Sequence, residues 1–168
     1  GLAGKGGKEF IKGFIEELKK RHLETCRVAV KDEEVCRLTE KTVEDTLLEL
    51  ENVLVGVSYL REVTPRIKDY ILSFGERLST PIVCGALNSM GVKAEWFTGK
   101  DAGIVTDSNF GGARPLMETT THQVKARLQK VLDENITPVV TGFIAADQNG
   151  VITTLGRGGS DCTASILG

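Results

Sequence analysis

The residues best suited to chemistry form a glycine-rich turn near the C-terminal end of the chain, Gly156-Arg157-Gly158-Gly159-Ser160-Asp161. Glycines allow the positive φ angles that turn successive N–H groups toward one point, and the predicted helix after the turn adds partial positive charge there. Such a turn is suited to an anion, and the guanidinium of Arg157 fits a carboxylate or a phosphate. Ser160 or Asp161 can cap the helix. The turn matches no nucleotide-binding fingerprint, and a tight strand-to-helix connection with an exposed arginine is the alternative interpretation.

A second candidate is Glu76, which lies on a predicted buried helix. Its neighbours on that helical face carry no charge: Leu72, Ser79, Thr80 and Val83. A carboxylate in such a place is costly unless a cation pairs with it, either from another segment or from a ligand. If Glu76 and the glycine-rich turn converge, Glu76 would hold an ammonium group and Arg157 a carboxylate. That combination indicates an amino acid, whereas an internal salt bridge would need no ligand.

Apolar residues at helical spacing predict three helices in the first half of the chain, and the third of them carries Glu76. The first spans residues 8–23, and the second spans 42–57 after a capping-box pattern that begins at Thr42. The third begins at Thr64-Pro65, where threonine can cap the helix and proline takes its first position. Residues 78–92 carry no charge, and both faces of this helix are apolar. This pattern predicts a helix that the rest of the molecule encloses.

The second half of the chain alternates between strands and helices. Short strands are predicted at 93–98, 103–106 and 137–142, a helix at 121–135, and a hairpin pairing 143–146 with 151–155. The hairpin turn is Gln148-Asn149-Gly150. Such alternation predicts an α/β layered fold with a largely parallel sheet.

Composition narrows the classes of protein that fit. The chain has 168 residues, 40% of them hydrophobic, with 21 Lys+Arg against 23 Asp+Glu and a net charge of −2. This length suits one domain, and the near-neutral charge argues against a nucleic-acid partner. No run of residues is apolar enough to predict a membrane span. The four cysteines and two histidines are scattered, which predicts a cytoplasmic protein without a structural metal.

Three motifs, taken in order, resemble those of the aspartokinase family. They are Ser73-Phe74-Gly75-Glu76-Arg77-Leu78-Ser79, Val140-Thr141-Gly142-Phe143-Ile144 and Thr153-Thr154-Leu155-Gly156-Arg157-Gly158-Gly159-Ser160-Asp161. The run Thr106-Asp107-Ser108-Asn109-Phe110-Gly111 also fits this family. The resemblance covers roughly residues 54–168, and three motifs in register are far more specific than any one of them.

The resemblance implies a three-layer α/β/α sandwich of the amino-acid-kinase type, preceded by a helical segment. It implies transfer of the γ-phosphoryl group of ATP to the side-chain carboxylate of L-aspartate, the first step of lysine, threonine and methionine biosynthesis. By the same resemblance, Glu76 and Arg157 hold the ammonium group and the α-carboxylate of aspartate, and Asp161 positions the catalytic groups. The other residues of the pocket that it implies are Phe143, Gly158 and Ser160. ATP, Mg²⁺ and a homo-oligomeric full-length protein are implied as well.

The sequence also departs from the family. It lacks the N-terminal Lys-Phe-Gly-Gly-Thr-Ser motif, the downstream nucleotide-binding half and the C-terminal regulatory domains. We therefore expect an internal fragment in which residues 1–60 are a helical insert and residues 61–168 are the aspartate-binding part. Most of the ATP site would lie outside this chain, and the isolated chain is expected to be inactive.

Three other interpretations remain open on the sequence alone. One is a kinase of the same fold that acts on another acidic amino acid, such as glutamate. Another is a module that binds an amino acid without catalysis. The last is an α/β domain that holds a buried Glu–Arg salt bridge and binds no ligand.

Overall fold

The computed structural model describes residues 5–168, which form helices in the first half and mixed helices and strands in the second. The helices are α1 (Lys5–Ala29), α2 (Glu33–Leu60), α3 (Pro65–Ser89), α4 (Gly99–Ala102), α5 (Met117–Asp133) and α6 (Gly159–Leu167). The strands are β1 (Ala94–Phe97), β2 (Val105–Thr106), β3 (Thr137–Val140), β4 (Ile144–Asp147) and β5 (Ile152–Thr154). None of the helices in this part of the chain is both long and apolar enough to span a bilayer.

The start of α3 confirms the prediction, whereas the start of α2 contradicts it. Thr64 caps α3 because its Oγ1 accepts a hydrogen bond from the backbone N–H of Ile67 at 3.2 Å, and Pro65 is the first helical residue. The second helix begins nine residues before Thr42, so the predicted capping box at Thr42 is wrong. Inside the helix the Thr42 hydroxyl donates to the carbonyl of Leu38 at 3.1 Å, which is how a threonine is satisfied there.

The main apolar core lies between α1, α2 and α3. Its buried members are Ile11, Ile15, Leu23, Cys26, Val30, Val43, Leu47, Leu50, Phe74, Leu78 and Ile82. The boundary predicted after residue 60 coincides with the end of α2, but this core is shared by residues on both sides of it. The division into two parts therefore stays a prediction.

Helix α3 is not enclosed on all sides. One face packs against α1, α2, β1, β3 and β5. On another side Leu72 is 45% exposed and Val83 is 52% exposed. The prediction of a fully enclosed helix is wrong, because the other described segments of the chain cover only part of the surface of α3.

The strands form two small sheets rather than the single sheet predicted. In one sheet β1 pairs with β3, and in the other β4 lies between β2 and β5. Both β1–β3 and β2–β4 are parallel, whereas β4 and β5 form the predicted antiparallel hairpin. Helix α5 packs against β2 and β3. The predicted α/β architecture is thus confirmed, and the largely parallel pairing is confirmed apart from the hairpin.

A test of the helical core uses its cysteines. The Cys26 Sγ is buried and lies 3.8 Å from the Sγ of the more exposed Cys36. Burial and the neighbouring Cys36 raise the pKa of the Cys26 thiol to about 12. Because the thiolate is the reactive form, iodoacetamide at pH 8 should modify Cys36 at least about tenfold faster than Cys26. Mass spectrometry of digests measures both rates. Equal rates in the folded chain would contradict this core, whereas equal rates in urea are expected.

Candidate functional site

The glycine-rich turn connects β5 to α6 and has the backbone conformation that the sequence predicts. Gly156 has φ 71° and Gly158 has φ 76°, both in the left-handed region that favours glycine. Gly158 is the residue that caps α6, and no side chain caps this helix. The prediction that Ser160 or Asp161 acts as the cap is therefore wrong, because both lie inside the first helical turn. Their backbone N–H groups have no intrahelical acceptor at this position.

The glycine-rich turn and the start of α6 lie near the middle of helix α3, where Glu76 is located. The link is Gly142, whose backbone N–H lies near enough to the Glu76 carboxylate to lower the pKa of that group. On its other side Gly142 is so close to α6 that a Cβ placed on it would lie 2.9 Å from the Ser160 Oγ. The structure thus brings together two candidates, Glu76 and Ser160, that are 84 positions apart in the sequence.

Phe143 follows Gly142 and packs on the start of α6. Its φ of 64° is in the left-handed region, which is uncommon for an aromatic residue. Its carbonyl accepts a hydrogen bond from the N–H of Leu155 at 2.9 Å, which joins it to the turn. A Cβ placed on Gly159 would lie 3.0 Å from the Phe143 ring, so the ring packs directly on the start of α6. This strained residue therefore forms part of the same small region.

The charges of the region are not neutralised within the described residues. Glu76 is half-buried, and burial raises the pKa of its carboxyl above the ordinary value, while the Gly142 N–H partly opposes that shift. Among residues 5–168 the salt bridges involve neither Glu76 nor Arg157. Hence Glu76 and Arg157 do not form, within the described residues, the internal salt bridge that the ligand-free interpretation requires. An ammonium group could bind at Glu76 and a carboxylate at Arg157 without displacing an oppositely charged side chain of the described residues.

The remaining candidates lie at the surface around the turn. Arg157, Gly158, Ser160 and Asp161 are all exposed. In the described structure the Asp161 backbone carbonyl accepts from the Ser165 hydroxyl, and no hydrogen bond to its carboxylate is present. The role assigned to Asp161 therefore stays a prediction. No group of three or more His, Cys, Asp or Glu side chains within residues 5–168 could hold a metal ion.

Asp69, which was not among the residues predicted for the site, is fully buried in the first turns of α3. Its carboxylate accepts hydrogen bonds from Thr154 at the end of β5 and from Gly111 in the loop after β2. An acid two helical turns before Glu76, on the same side of the predicted helix, was the available signal. Its partners could not be found, because they are 42 and 85 positions away in the sequence.

The close approach of Gly142 to α6 gives a second test. In Gly142→Ala the added Cβ would lie 2.9 Å from Ser160 Oγ, 3.0 Å from its Cβ and 3.2 Å from its Cα. Because Ser160 and the start of α6 must move to relieve these contacts, thermal unfolding should show a loss of about 1–3 kcal/mol. Gly13→Ala is the matched control, since a Cβ there meets nothing within 4 Å inside α1. That control should gain about 0.5–1 kcal/mol. Equal stability of Gly142→Ala and the unmodified chain would contradict the close approach.

The fold and the site agree with one family of proteins. The sequence model of the Amino acid kinase family matches residues 5–168, and the chain belongs to this family. Within it, the chain is similar to aspartokinases. It is 41% identical over 124 residues to Aspartokinase 1, chloroplastic, of Arabidopsis thaliana, covering 73% of this chain and 22% of that protein. It is 44% identical over 102 residues to the aspartokinase of Bacillus sp. (strain MGA3), covering 61% and 24%.

Solved structures give the same result. Escherichia coli aspartokinase III in complex with lysine and aspartate matches 98% of this chain and 35% of its own, with a TM-score of 0.83 and 25% identity. The same enzyme in complex with aspartate and ADP matches the same shares with a TM-score of 0.81 and 26% identity. The predicted resemblance and the partial amino-acid-kinase sandwich with its N-terminal helical segment are therefore confirmed. This chain spans about a quarter of the length of the curated relatives it matches.

Proposed function

We propose that this chain is the aspartate-binding part of an aspartokinase. The observation that carries the proposal is the convergence of Glu76, Phe143 and the turn that holds Arg157, with neither Glu76 nor Arg157 in a salt bridge within residues 5–168. A carboxylate and a guanidinium at one site form complementary partners for the two charges of an amino acid. The similarity to aspartokinase structures that hold aspartate supports aspartate as that amino acid.

Each end of the substrate has a partner in this proposal. Glu76 accepts hydrogen bonds from the ammonium group, and Arg157 donates two parallel bonds to the α-carboxylate. The unpaired N–H groups and the partial positive charge at the start of α6 add to the attraction for the carboxylate. Phe143, Gly158 and Ser160 form the wall of the pocket. The side-chain carboxylate of aspartate is then left free to react.

The chemical step transfers a phosphoryl group to that free carboxylate. One of its oxygens bonds to the γ-phosphorus of ATP while the bond from that phosphorus to the β,γ-bridging oxygen breaks, which gives β-aspartyl phosphate and ADP. Catalysis of this kind depends on in-line positioning and on neutralising phosphoryl charge. Residues of this chain hold the acceptor, and Asp161 is proposed to position the reacting groups. Mg²⁺ bound to the ATP phosphates would neutralise their charge during the transfer.

The nucleotide and the assembly belong to a longer protein in this proposal. The aspartokinase III structure with aspartate and ADP supports use of an adenine nucleotide, and its chain is about three times as long as the part matched here. Most of the ATP site would therefore be supplied by segments other than residues 5–168. A homo-oligomeric enzyme and a cytoplasmic location remain part of the proposal.

Trapping of the acyl phosphate with hydroxylamine tests the reaction. A protein that carries this chain together with a nucleotide-binding half should form hydroxamate from L-aspartate only when MgATP is present. L-Glutamate at equal concentration should give much less product. The 168-residue chain alone should give none.

Other outcomes would identify one of the alternative functions. More hydroxamate from L-glutamate than from L-aspartate would identify a kinase for the longer acid. Binding of L-aspartate that is indifferent to MgATP, with no hydroxamate from either acid, would identify a non-catalytic module and overturn the proposal. Turnover by the isolated chain would show that its ATP site is more complete than proposed.

A further inference from the structure

Asp69 is a fully buried carboxylate that is satisfied by hydrogen bonds rather than by a cation. Its Oδ2 accepts from the backbone N–H of Thr154 and from that of Gly111, both at 2.9 Å. Its Oδ1 accepts from the Thr154 hydroxyl at 2.8 Å. Within residues 5–168 it makes no salt bridge. Burial of a carboxylate is costly, so these three donors must hold fixed positions to compensate for the loss of water.

The three donors belong to segments that surround the candidate site. Thr154 is the last residue of β5 and precedes Gly156 by two positions, and its carbonyl accepts from Ala113 at 2.8 Å. Gly156 in turn is in contact with the loop that contains Gly111, because a Cβ placed on it would lie 3.5 Å from the Gly111 carbonyl oxygen. Asp69 thus ties the start of the glycine-rich turn and the loop after β2 to one point on α3.

The same helix carries Glu76, seven residues farther along. Seven residues are close to two full turns, so Asp69 and Glu76 lie on the same side of α3, about 10 Å apart along its axis. Asp69, at one end of residues 69–76 of α3, is hydrogen-bonded to β5, the strand that leads into Arg157. Glu76, at the other end, carries the carboxylate proposed to bind the ammonium group. The bonds of Asp69 therefore determine how far Glu76 lies from the turn.

We propose that Asp69 is a positioning residue for aspartate binding, which sets the separation between the ammonium partner Glu76 and the carboxylate partner Arg157. This inference rests on the proposed function. A substrate with two charges at a fixed spacing gains both interactions only when its two partners are held at the matching distance. Asp69 itself does not touch the substrate, because it is enclosed by β5 and the loop.

Titration of the ¹⁵N-labelled 168-residue chain with L-aspartate, followed by NMR, tests the proposal. Asp69→Asn removes the negative charge and leaves one acceptor oxygen for the three donors, so these contacts should loosen and affinity should fall by about tenfold or more. The amides of Thr154 and Gly111 should also lose protection against hydrogen exchange. Asp45→Asn is the matched control on the exposed face of α2 and should bind as the unmodified chain does.

A second pair of variants keeps Asp69 and changes only its partner. Thr154→Val removes the hydroxyl donor while keeping the shape and the backbone N–H, and should weaken aspartate binding several-fold. Thr154→Ser keeps the hydroxyl and should bind normally, which a role in packing alone would not predict. Combining Asp69→Asn with Arg157→Ala should cost less affinity than the product of the two single effects, because both act on the same interaction.

The outcomes separate this proposal from the function on which it rests. If the unmodified chain binds no L-aspartate, the proposed function fails and the positioning role fails with it. If the unmodified chain binds but a folded Asp69→Asn binds equally well, only the positioning role is wrong. If Asp69→Asn does not fold, the valine and serine variants of Thr154 decide, and equal binding by both overturns the proposal.

Discussion

Replacing Arg157 with alanine should weaken L-aspartate binding by about 10- to 100-fold, the effect of losing about 1.5–3 kcal/mol from a charge-assisted hydrogen bond. The side chain is exposed and forms no salt bridge with the described residues, so the free energy of unfolding should change by less than about 0.5 kcal/mol. Calorimetric titration with L-aspartate and denaturant unfolding measure the two quantities. A large loss of affinity without a loss of stability is the expected signature of a residue that serves the ligand.

Two further variants sharpen the Arg157 test. Arg157→Lys keeps the charge but not the planar pair of donors, so its affinity should fall between those of the alanine variant and the unmodified chain. Arg21→Ala on α1 is the control, since it also removes an exposed arginine and should leave aspartate binding unchanged. Unchanged binding in Arg157→Ala would show that the turn does not hold the α-carboxylate.

Replacing Glu76 with glutamine should weaken L-aspartate binding by a similar factor, about 10- to 100-fold, because the ammonium group loses its charged acceptor. The same change should raise the free energy of unfolding at pH 7 by about 0.5–1 kcal/mol. Burial disfavours the ionised form of Glu76, so the ionised carboxylate lowers the stability of the ligand-free protein at neutral pH. Opposite changes in affinity and stability are the expected result.

The dependence on pH follows from the raised pKa of Glu76. Because the pKa of Glu76 is higher in the folded than in the unfolded protein, its protonation stabilises the fold. This contribution to the free energy of unfolding is fully present below the unfolded-state pKa. It is lost as the pH rises through the folded-state pKa. The stability gain of Glu76→Gln should therefore disappear as pH falls below the ordinary range of glutamate. Aspartate affinity of the unmodified chain should also fall as pH drops through the raised pKa. Affinity that does not fall as the pH is lowered from neutral to below the ordinary pKa range of glutamate would contradict the role of Glu76.

Local signals explain what could be predicted from the sequence. The glycine-rich turn, the hairpin around Gln148-Asn149-Gly150 and the cap at Thr64 each depend on residues within a few positions of one another. Their conformations follow from φ preferences and hydrogen bonds that the local sequence determines. For the same reason the candidate site could be assigned to Glu76 and the turn before their convergence was known.

Contacts between distant segments explain what could not be predicted. The role of Asp69 depends on Gly111 and Thr154, which only the folded chain brings near it. The start of α2 was placed too late because Asp32, rather than Thr42, caps that helix, and both residue types are favoured at helix N-caps. The exposure of Leu72 and Val83 shows that periodicity identifies an apolar face but not whether another segment covers it.

Chemical-shift changes in the ¹⁵N-labelled chain on addition of L-aspartate test the central claim most directly. The amides of Gly142, Phe143, Gly159 and Ser160 should shift together and saturate at one affinity, and the Arg157→Ala variant should require much more ligand. Succinate, which lacks the ammonium group, should shift the α6 amides but not that of Gly142, which reports on Glu76. Absence of saturable shifts at these amides in the folded chain would contradict an aspartate site formed by Glu76 and the glycine-rich turn.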